Sequence, residues 1–388
     1  MQLIFLQDLH QKADELSAIC HGISYKDTGE LVLPSPTTRE TGGVLPPYSS
    51  VNNIPGYCKP LYKTESGLTV KKYASLQGFA ICLDAYSSVE QYMEACFNKK
   101  VRGNIMRCKR RLEKCYDISY DRFYGEIEEG HCSSLLDCLY DMIVARFRER
   151  QESNATLAHW EQIKNTLYPL ILSRKASLYV ISQAGTPICI SISYHYGSML
   201  FYYVTSYDIA YSKFSLGNIM IIKQLESCFE EGGYRYIEMG WGYMDYKRRW
   251  CNTTHTFEHH FICPTDSWKG RAYSLVRGNQ TAFVAYLQDK PLYKFYHRLK
   301  AALKKRAMPK PASAPVYQLV EMSGAANADG LTSISTPARL DIPMNQLLND
   351  FLYHTEENTK DVCFLEDRTH GALYLKGKHH FSKVVLKG

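Results

Sequence analysis

The run ASLYVISQAGTPICISISYHYGSMLFYYVTSYDIAYSKFSLGN, residues 176–218, decides how the chain is read. It holds three segments rich in β-branched and aromatic residues, separated by AGTP and by GS, two glycine-containing turns of hairpin length. Such spacing predicts an antiparallel meander. After the third strand a Tyr- and Ser-rich loop reaches Ser215-Leu216-Gly217-Asn218, and an apolar helical pattern then runs to the Gly232-Gly233 stop. A helix that starts directly after a strand offers unpaired N–H groups and a positive dipole end, and Gly217 lets a ligand approach the backbone. Those features suit a pyrophosphate; an ordinary helix start capped by Ser215 fits the same residues. Downstream come a strand YRYIEMG, a loop WGYMDYKRRW and a strand TFEHHFI, so the order is β-β-β-α-β-loop-β.

The 388 residues exceed one small core and fit two to three domains or one elaborated α/β unit. Hydrophobic content of 45% against 22% charged residues excludes general disorder. No window approaches the roughly 18 to 20 apolar residues of a membrane span. The start MQLIFLQDLH has no basic segment before its short apolar run and does not read as a secretory signal, so a cytoplasmic location is expected. Thirteen cysteines with no C-x-x-C pair read as reduced, packed thiols.

The net charge of +7 is concentrated in two places. Residues 99–114, KKVRGNIMRCKRRLEK, carry eight Lys/Arg against Glu113, and residues 290–310 carry eight with no acid. The remainder is mildly acidic, which points to anionic ligands or surfaces met locally.

Outside the meander, the prolines between Pro34 and Pro55 predict mainly loop over residues 1 to 60 after one short helix. Two strands are expected in GLTVKKYASL and GFAICLDAY, then a helix from Ser88 to about 115 with Val101, Ile105, Cys108, Leu112 and Cys115 on one stripe. A short strand near YDISYDRFYG and two helices, near 132–150 and 156–172, complete the approach to the meander. After 270 a helical tract leads into PLYKFYHRLKAALKKR; residues 323–340 look like a linker, and the last 48 or so form a small appendage without an assignable fold.

This order of elements resembles the GNAT acyltransferase superfamily. Residues 207–250 are similar to its branch of bacterial acetyltransferase-like proteins associated with cellulose and exopolysaccharide production. The matching signs are Tyr207-Asp208, the Ser-x-Gly of Ser215 to Gly217, Glu238 at the end of the next strand, and Tyr246-Lys247-Arg248-Arg249-Trp250, with NIMRCKRRLEK before them. The resemblance spans about residues 95–260. It departs in having a single glycine in KFSLGN, where the fuller Arg/Gln-x-x-Gly-x-Gly/Ala signature is usual. The same branch is related to Fem-type aminoacyltransferases, which pair two GNAT-like units and use an aminoacyl-tRNA donor. The resemblance therefore implies a GNAT-like mixed α/β (α+β) fold, its sheet mainly antiparallel and flanked by helices, in a Fem-like tandem. The expected divisions are 1–130 for a reduced first unit, 131–270 for the acetyltransferase-like domain, 271–322 for a basic helical extension and 323–388 for linker and appendage.

In a GNAT-like reaction the acceptor attacks an acyl thioester directly, so the site needs a route for the acceptor proton, a donor to the oxyanion and an acid for the thiolate. Asp208 and Glu238 are the candidate bases and Tyr207 and Tyr211 the candidate acids. Asp208 also suits loop ordering, and Glu238 a pair with Lys247. The donor is expected at Ser215, Leu216, Gly217 and Asn218, with backbone N–H groups of Val204, Thr205 and Ser206 facing the oxyanion. Lys247, Arg248 and Arg249 suit a phosphate or carboxylate. Trp241, Tyr243, Tyr246 and Trp250 suit stacking on a ring or closing a core. Arg107 and Arg110, off the apolar stripe, are expected to attract the anionic donor. HTFEHH lacks the H-E-x-x-H order, and strand alternation puts His255 and His259 on one face with Phe257, so no metal is expected.

The expected activity is acyl transfer, with acetyl-CoA as donor and an amine or hydroxyl of a small molecule, saccharide or envelope precursor as acceptor. The rival readings are aminoacyl transfer from tRNA, and a non-catalytic protein holding an anionic membrane surface or nucleic acid through its basic helices.

Overall fold

The structure, a computed structural model, describes residues 1–10, 12–34, 48–64, 67–150, 155–242, 244–288, 317–322, 331–334, 342–367 and 370–386. In chain order its elements begin with β1 (Gln2–Ile4), α1 (Phe5–Asp8), α2 (Ala13–Ser17), β2 (Cys20–Tyr25), β3 (Leu31–Pro34), β4 (Ser49–Ile54), β5 (Cys58–Tyr62) and β6 (Leu68–Cys82). There follow α3 (Val89–Cys96), α4 (Lys99–Cys115), β7 (Ile118–Phe123), α5 (Glu129–Arg150), α6 (Trp160–Leu172), β8 (Ala176–Gln183), β9 (Thr186–Tyr196) and β10 (Met199–Tyr207). Then come α7 (Leu216–Glu231), β11 (Tyr236–Trp241), α8 (Asp245–Trp250), β12 (Thr253–Pro264) and α9 (Trp268–Gln288). The C-terminal elements are β13 (Tyr317–Glu321), β14 (Thr332–Ile334), α10 (Ile342–Thr355), β15 (Cys363–Asp367), β16 (Ala372–Lys376) and β17 (Phe381–Leu386).

The meander β8-β9-β10 forms as read. Its first turn uses Ala184 and Gly185 at φ 45° and 79°, the positive values that a two-residue hairpin turn demands. Nearly every residue of β8 and β9 is buried, because helices cover both faces of the sheet. Nine strands run in the order β1-β4-β12-β6-β11-β10-β9-β8-β7, parallel only at β1/β4 and β10/β11. One face carries α1, α5 and α6 over a core including Leu135, Leu139, Ile163 and Phe201. The opposite face carries α3, α4, α7 and α10 over a core including Tyr92, Leu112, Ile219, Leu225 and Phe351. The fold is thus a mixed α/β sheet, mainly antiparallel and flanked by helices.

Several expectations are corrected. Residues 1–60 are not mainly loop: they supply β1 and β4 to the large sheet, while β3-β2-β5 form a small sheet beside it. Their proline and glycine punctuation separates short strands, and Pro36, Pro46 and Pro47 fall outside the described residues. The two strands expected over 68–86 are the single 15-residue β6, which inserts between β11 and β12. The helix expected from 88 to 115 breaks at Phe97, and Asn98 restarts it by accepting the Val101 N–H at 2.9 Å. Part of the expected linker is strand β14.

The appendage has its own five-stranded sheet, β13-β17-β16-β15-β14, and its helix α10 docks on the main body. Phe351 and Leu352 are buried there, Asn349 accepts from the Tyr116 hydroxyl at 2.8 Å, and Glu356 pairs with Arg111 and Lys114 at 2.9 and 3.1 Å. The basic tract 290–310 lies outside the described residues. Among the described residues no helix is long and apolar enough to cross a membrane.

Candidate functional site

The site grows from a parting of strands. β10 and β11 pair in parallel at three positions only, Met199 with Tyr236, Leu200 with Ile237 and Phe201 with Glu238. Immediately beyond, both strands bulge: β10 against β9 between Tyr202 and Val204, β11 against β6 between Glu238 and Trp241. A bulge bends its strand and ends pairing. At Gly240, φ is +73°, a value that glycine alone reaches without cost. β10 therefore runs on to Tyr207 with its β11-side edge unpaired. The Asp208 N–H bonds Ile188 O on β9, so strand alternation turns the Thr205 backbone N–H and C=O toward the gap, while those of Val204 and Ser206 face β9.

The chain then makes a 3₁₀ turn, Ile209–Phe214, and enters α7 beside the gap. Ser215 sits in the left-handed region at φ 59° and does not cap α7 with its side chain. Its hydroxyl accepts from Asn218 Nδ2 at 2.7 Å, and Asn218 Oδ1 accepts from the Trp250 indole at 2.8 Å. Among the described residues the Leu216 and Gly217 N–H groups have no acceptor. A Cβ placed on Gly217 meets nothing nearer than Tyr207 Cε1 at 3.9 Å, so packing within the protein does not demand glycine there.

Arg146, from the end of α5, lies over the Tyr207 ring at 4.6 Å with Nη1 3.5 Å from Thr205 O. Among the described residues its buried Nε has no partner and no carboxylate pairs with it, so the guanidinium stands beside the gap without a counter-charge there.

At the foot of the gap, on the α5/α6 face, Glu238 is fully buried. It accepts from the Tyr57 hydroxyl at 2.6 Å, from His255 Nε2 at 2.8 Å and from the Gly240 N–H at 2.7 Å. Gly56 N–H donates to His255 Nδ1 at 3.1 Å, so the imidazole proton sits on Nε2 and points at the carboxylate. Burial, then the Glu238 charge, pushes the Tyr57 phenol well above its ordinary range, so it remains a donor. Lys247 is buried too, its Nζ donating to Trp241 O at 2.6 Å; burial lowers its pKa to about 8 against the opposing pull of Glu238.

The other expected residues fall as follows. Asp208 accepts the Ala210 N–H at 2.9 Å, capping the 3₁₀ turn, and burial raises its carboxyl pKa. Tyr211 is buried and hydrogen-bonded to Asn345, toward α10 and away from the gap. Trp250 is fully buried against Phe97, its ring centroid 4.7 Å away, so it anchors the start of α7 and presents no face to a ligand. Tyr246 is half-buried in the α7 face core, Arg249 is exposed on α8, and Tyr243 lies outside the described residues. Arg107 and Arg110 are exposed, and Arg107 donates to Asn104 Oδ1 at 2.6 Å. His255 and His259 do not share a set of partners: a register shift between Thr256 and Glu258 breaks the alternation, and His259 bonds Ser75 and Asn53 instead. No group of three His, Cys, Asp or Glu able to hold a metal occurs among the described residues.

Tyr57 and Arg146 were not anticipated. Neither stands in a motif, and each reaches the site only through tertiary packing.

Residues 99–248 match the family model described as Acetyltransferase (GNAT) domain. This segment is similar to the domains of that family. No curated protein matches the chain. Among solved structures the chain is similar to a conserved protein of unknown function from Bacteroides thetaiotaomicron, at 10% identity over 56% of this chain and 69% of that one, TM-score 0.35. It is also similar to FemX, at 8% identity over 60% and 74%, TM-score 0.41. A tandem GNAT protein from the clavulanic acid biosynthesis pathway matches at 9% over 55% and 63%, TM-score 0.30.

Proposed function

We propose that the protein transfers an acyl group, acetyl from acetyl-CoA, to an amine or hydroxyl, with the donor lying in the gap between β10 and β11. The observation that carries this reading is the parting after Phe201/Glu238, with the unoccupied N–H groups of Leu216 and Gly217 at one end and a buried carboxylate at the other. The pyrophosphate lies on the start of α7, where N–H groups and the helix dipole favour an anion, and Arg146 adds a cation beside it. The Thr205 N–H serves the acyl oxygen as negative charge develops on it.

Glu238 is the base of this reading. Tyr57, His255 and Gly240 fix its carboxylate, leaving Oε1 a lone pair for the acceptor's proton, directly or through a water. The acceptor nitrogen or oxygen bonds the acyl carbon, the C–S bond breaks, and the thiolate leaves to be protonated. Asp208 falls behind Glu238 as base because it follows the Tyr207 end of β10, where the pyrophosphate is placed, and not the Phe201/Glu238 end of the gap.

Thermal unfolding with acetyl-CoA, with free coenzyme A and with aminoacyl-tRNA tests the reading. A ligand at about 100 times its Kd adds roughly 2.7 kcal/mol. Stabilisation by acetyl-CoA, weakened in Arg146→Ala, supports it; stabilisation by aminoacyl-tRNA alone moves the donor to tRNA.

A further inference from the structure

We infer that the outward face of α9 is a docking surface for an anionic lipid bilayer, with the helix lying in the plane of the headgroups. The inference goes beyond the acyl-transfer reading and does not rest on it.

The helix seats one side on the sheet with its smallest residues. Gly270, Ser274 and Gly278, spaced four apart, are buried, and a Cβ on Gly278 would run into the Tyr73 ring of β6. Tyr273 holds the same side by stacking on Tyr48, ring centroids 4.1 Å apart. At roughly 100° per residue, Trp268, Leu275, Val276 and Phe283 fall on the opposite side within about 100° of arc, with Ala272 and Asn279 between them. The four large side chains are 68%, 46%, 68% and 61% exposed. Apolar side chains grouped this way on a surface mark an interaction site.

Charge selects the occupant. In its 21 residues α9 carries Lys269, Arg271 and Arg277 and no acid; the nearest acids in sequence, Asp266 and Asp289, lie beyond its ends. All three cations are exposed, and they flank the apolar arc, Arg271 on one side and Lys269 and Arg277 on the other. Lys269 lies over the Trp268 ring at 5.8 Å and Arg277 donates to Gln280 at 3.0 Å; among the described residues no carboxylate pairs with any of the three. An apolar arc between cations matches an interfacial helix, whose apolar side chains enter the acyl boundary while its cations stay level with anionic headgroups. Trp268, at the helix start, suits that depth. The same charges disfavour the other occupants. A second copy of α9 would bring two sets of three cations together with no acid between them, and residues 290–310, with eight Lys/Arg and no acid, add charge of the same sign.

Co-sedimentation of the full chain with vesicles of phosphatidylcholine alone, and of phosphatidylcholine with roughly one third phosphatidylglycerol, tests this. The chain is expected to bind the anionic vesicles at least roughly tenfold more tightly and to release as salt rises. Val276→Ser with Phe283→Ser, both at exposed positions, should weaken that binding by roughly tenfold or more while the melting temperature holds. Of the four tryptophans, Trp160 and Trp250 are buried, Trp241 is half-buried and Trp268 is exposed, so anionic vesicles should shift the fluorescence to the blue through Trp268. Trp268→Phe should lose that shift. Absence of binding, equal binding to neutral vesicles, or binding without a blue shift each overturns the inference. Unchanged binding in the serine double variant overturns it too, and assigns the lipid contact to residues 290–310. A chain that is dimeric by analytical ultracentrifugation, and monomeric once Val276 and Phe283 are replaced, gives the face to a second copy instead.

Discussion

Gly217→Val separates a ligand contact from a packing contact. The substitution places a branched side chain at the second residue of α7, where its Cβ meets only Tyr207 Cε1 at 3.9 Å, ordinary van der Waals distance. Valine is a better helix former than glycine by about 0.3 kcal/mol, so stability should hold or rise slightly and the melting temperature should move by less than about 2 °C. A pyrophosphate on this helix start accepts from the Leu216 and Gly217 N–H groups, and hydrogen bonds to a charged group are worth about 1.5–3 kcal/mol each. Blocking that approach should therefore cost about 3 kcal/mol or more of donor binding, roughly a 100-fold rise in Kd. Isothermal titration with acetyl-CoA reads the affinity, and a thermal melt of the same sample reads the fold. A Kd within about threefold of the parent, in a variant that melts normally, would show that the phosphates do not sit on α7. A melting temperature lowered by more than about 5 °C would show that the helix start does not have the room described.

Glu238→Gln faces an amide NH₂ toward groups that are themselves donors, so turnover should fall by roughly 10²-fold while acetyl-CoA affinity holds; unchanged turnover in steady-state assays would leave Glu238 a structural residue. Lys247 has a folded pKa of about 8 against 10.5 in the unfolded chain, so between those pH values the unfolded state binds more protons. Its burial cost is present in full below pH 8 and is relieved as pH climbs to 10.5, and the stability advantage of Lys247→Met in pH-dependent melts should shrink over that window. A constant difference would contradict the buried ammonium. Asp208→Ala should cost about 1 kcal/mol of stability through the lost cap, with Asp208→Asn restoring it and both keeping turnover within a few-fold. Loss of activity in a stable Asp208→Asn would return that residue to the list of bases.

The sequence is most legible where local chemistry acts. AGTP and GS mark the turns of β8-β9-β10, and an apolar 3.6-residue period ended by Gly232-Gly233 marks α7, because both signals are complete within a dozen residues. Glu238 and the Ser215–Asn218 start were legible for the same reason. The partners of Glu238 were not. Tyr57 lies 181 residues upstream, and its approach depends on β6 inserting between β11 and β12, a long-range pairing without local signature. The polar, proline-punctuated N-terminal strands carry no clean alternation, since β2 and β4 are buried at nearly successive positions. The three histidines of HTFEHH were placed by strict alternation, which one bulge is enough to defeat. Lys247 reads from the sequence as an anion contact or a partner of Glu238, and Trp250 as a stacking ring or a core closer; the short helix α8 turns both inward.

A crystal structure grown with acetyl-CoA tests the central claim most directly. The account predicts pyrophosphate oxygens within hydrogen-bond distance of the Leu216 and Gly217 N–H groups, the Arg146 guanidinium turned onto a phosphate, and the thioester in the gap beyond Phe201 and Glu238. Acetyl-CoA bound elsewhere, or a gap that stays closed and empty at saturating acetyl-CoA, would contradict it.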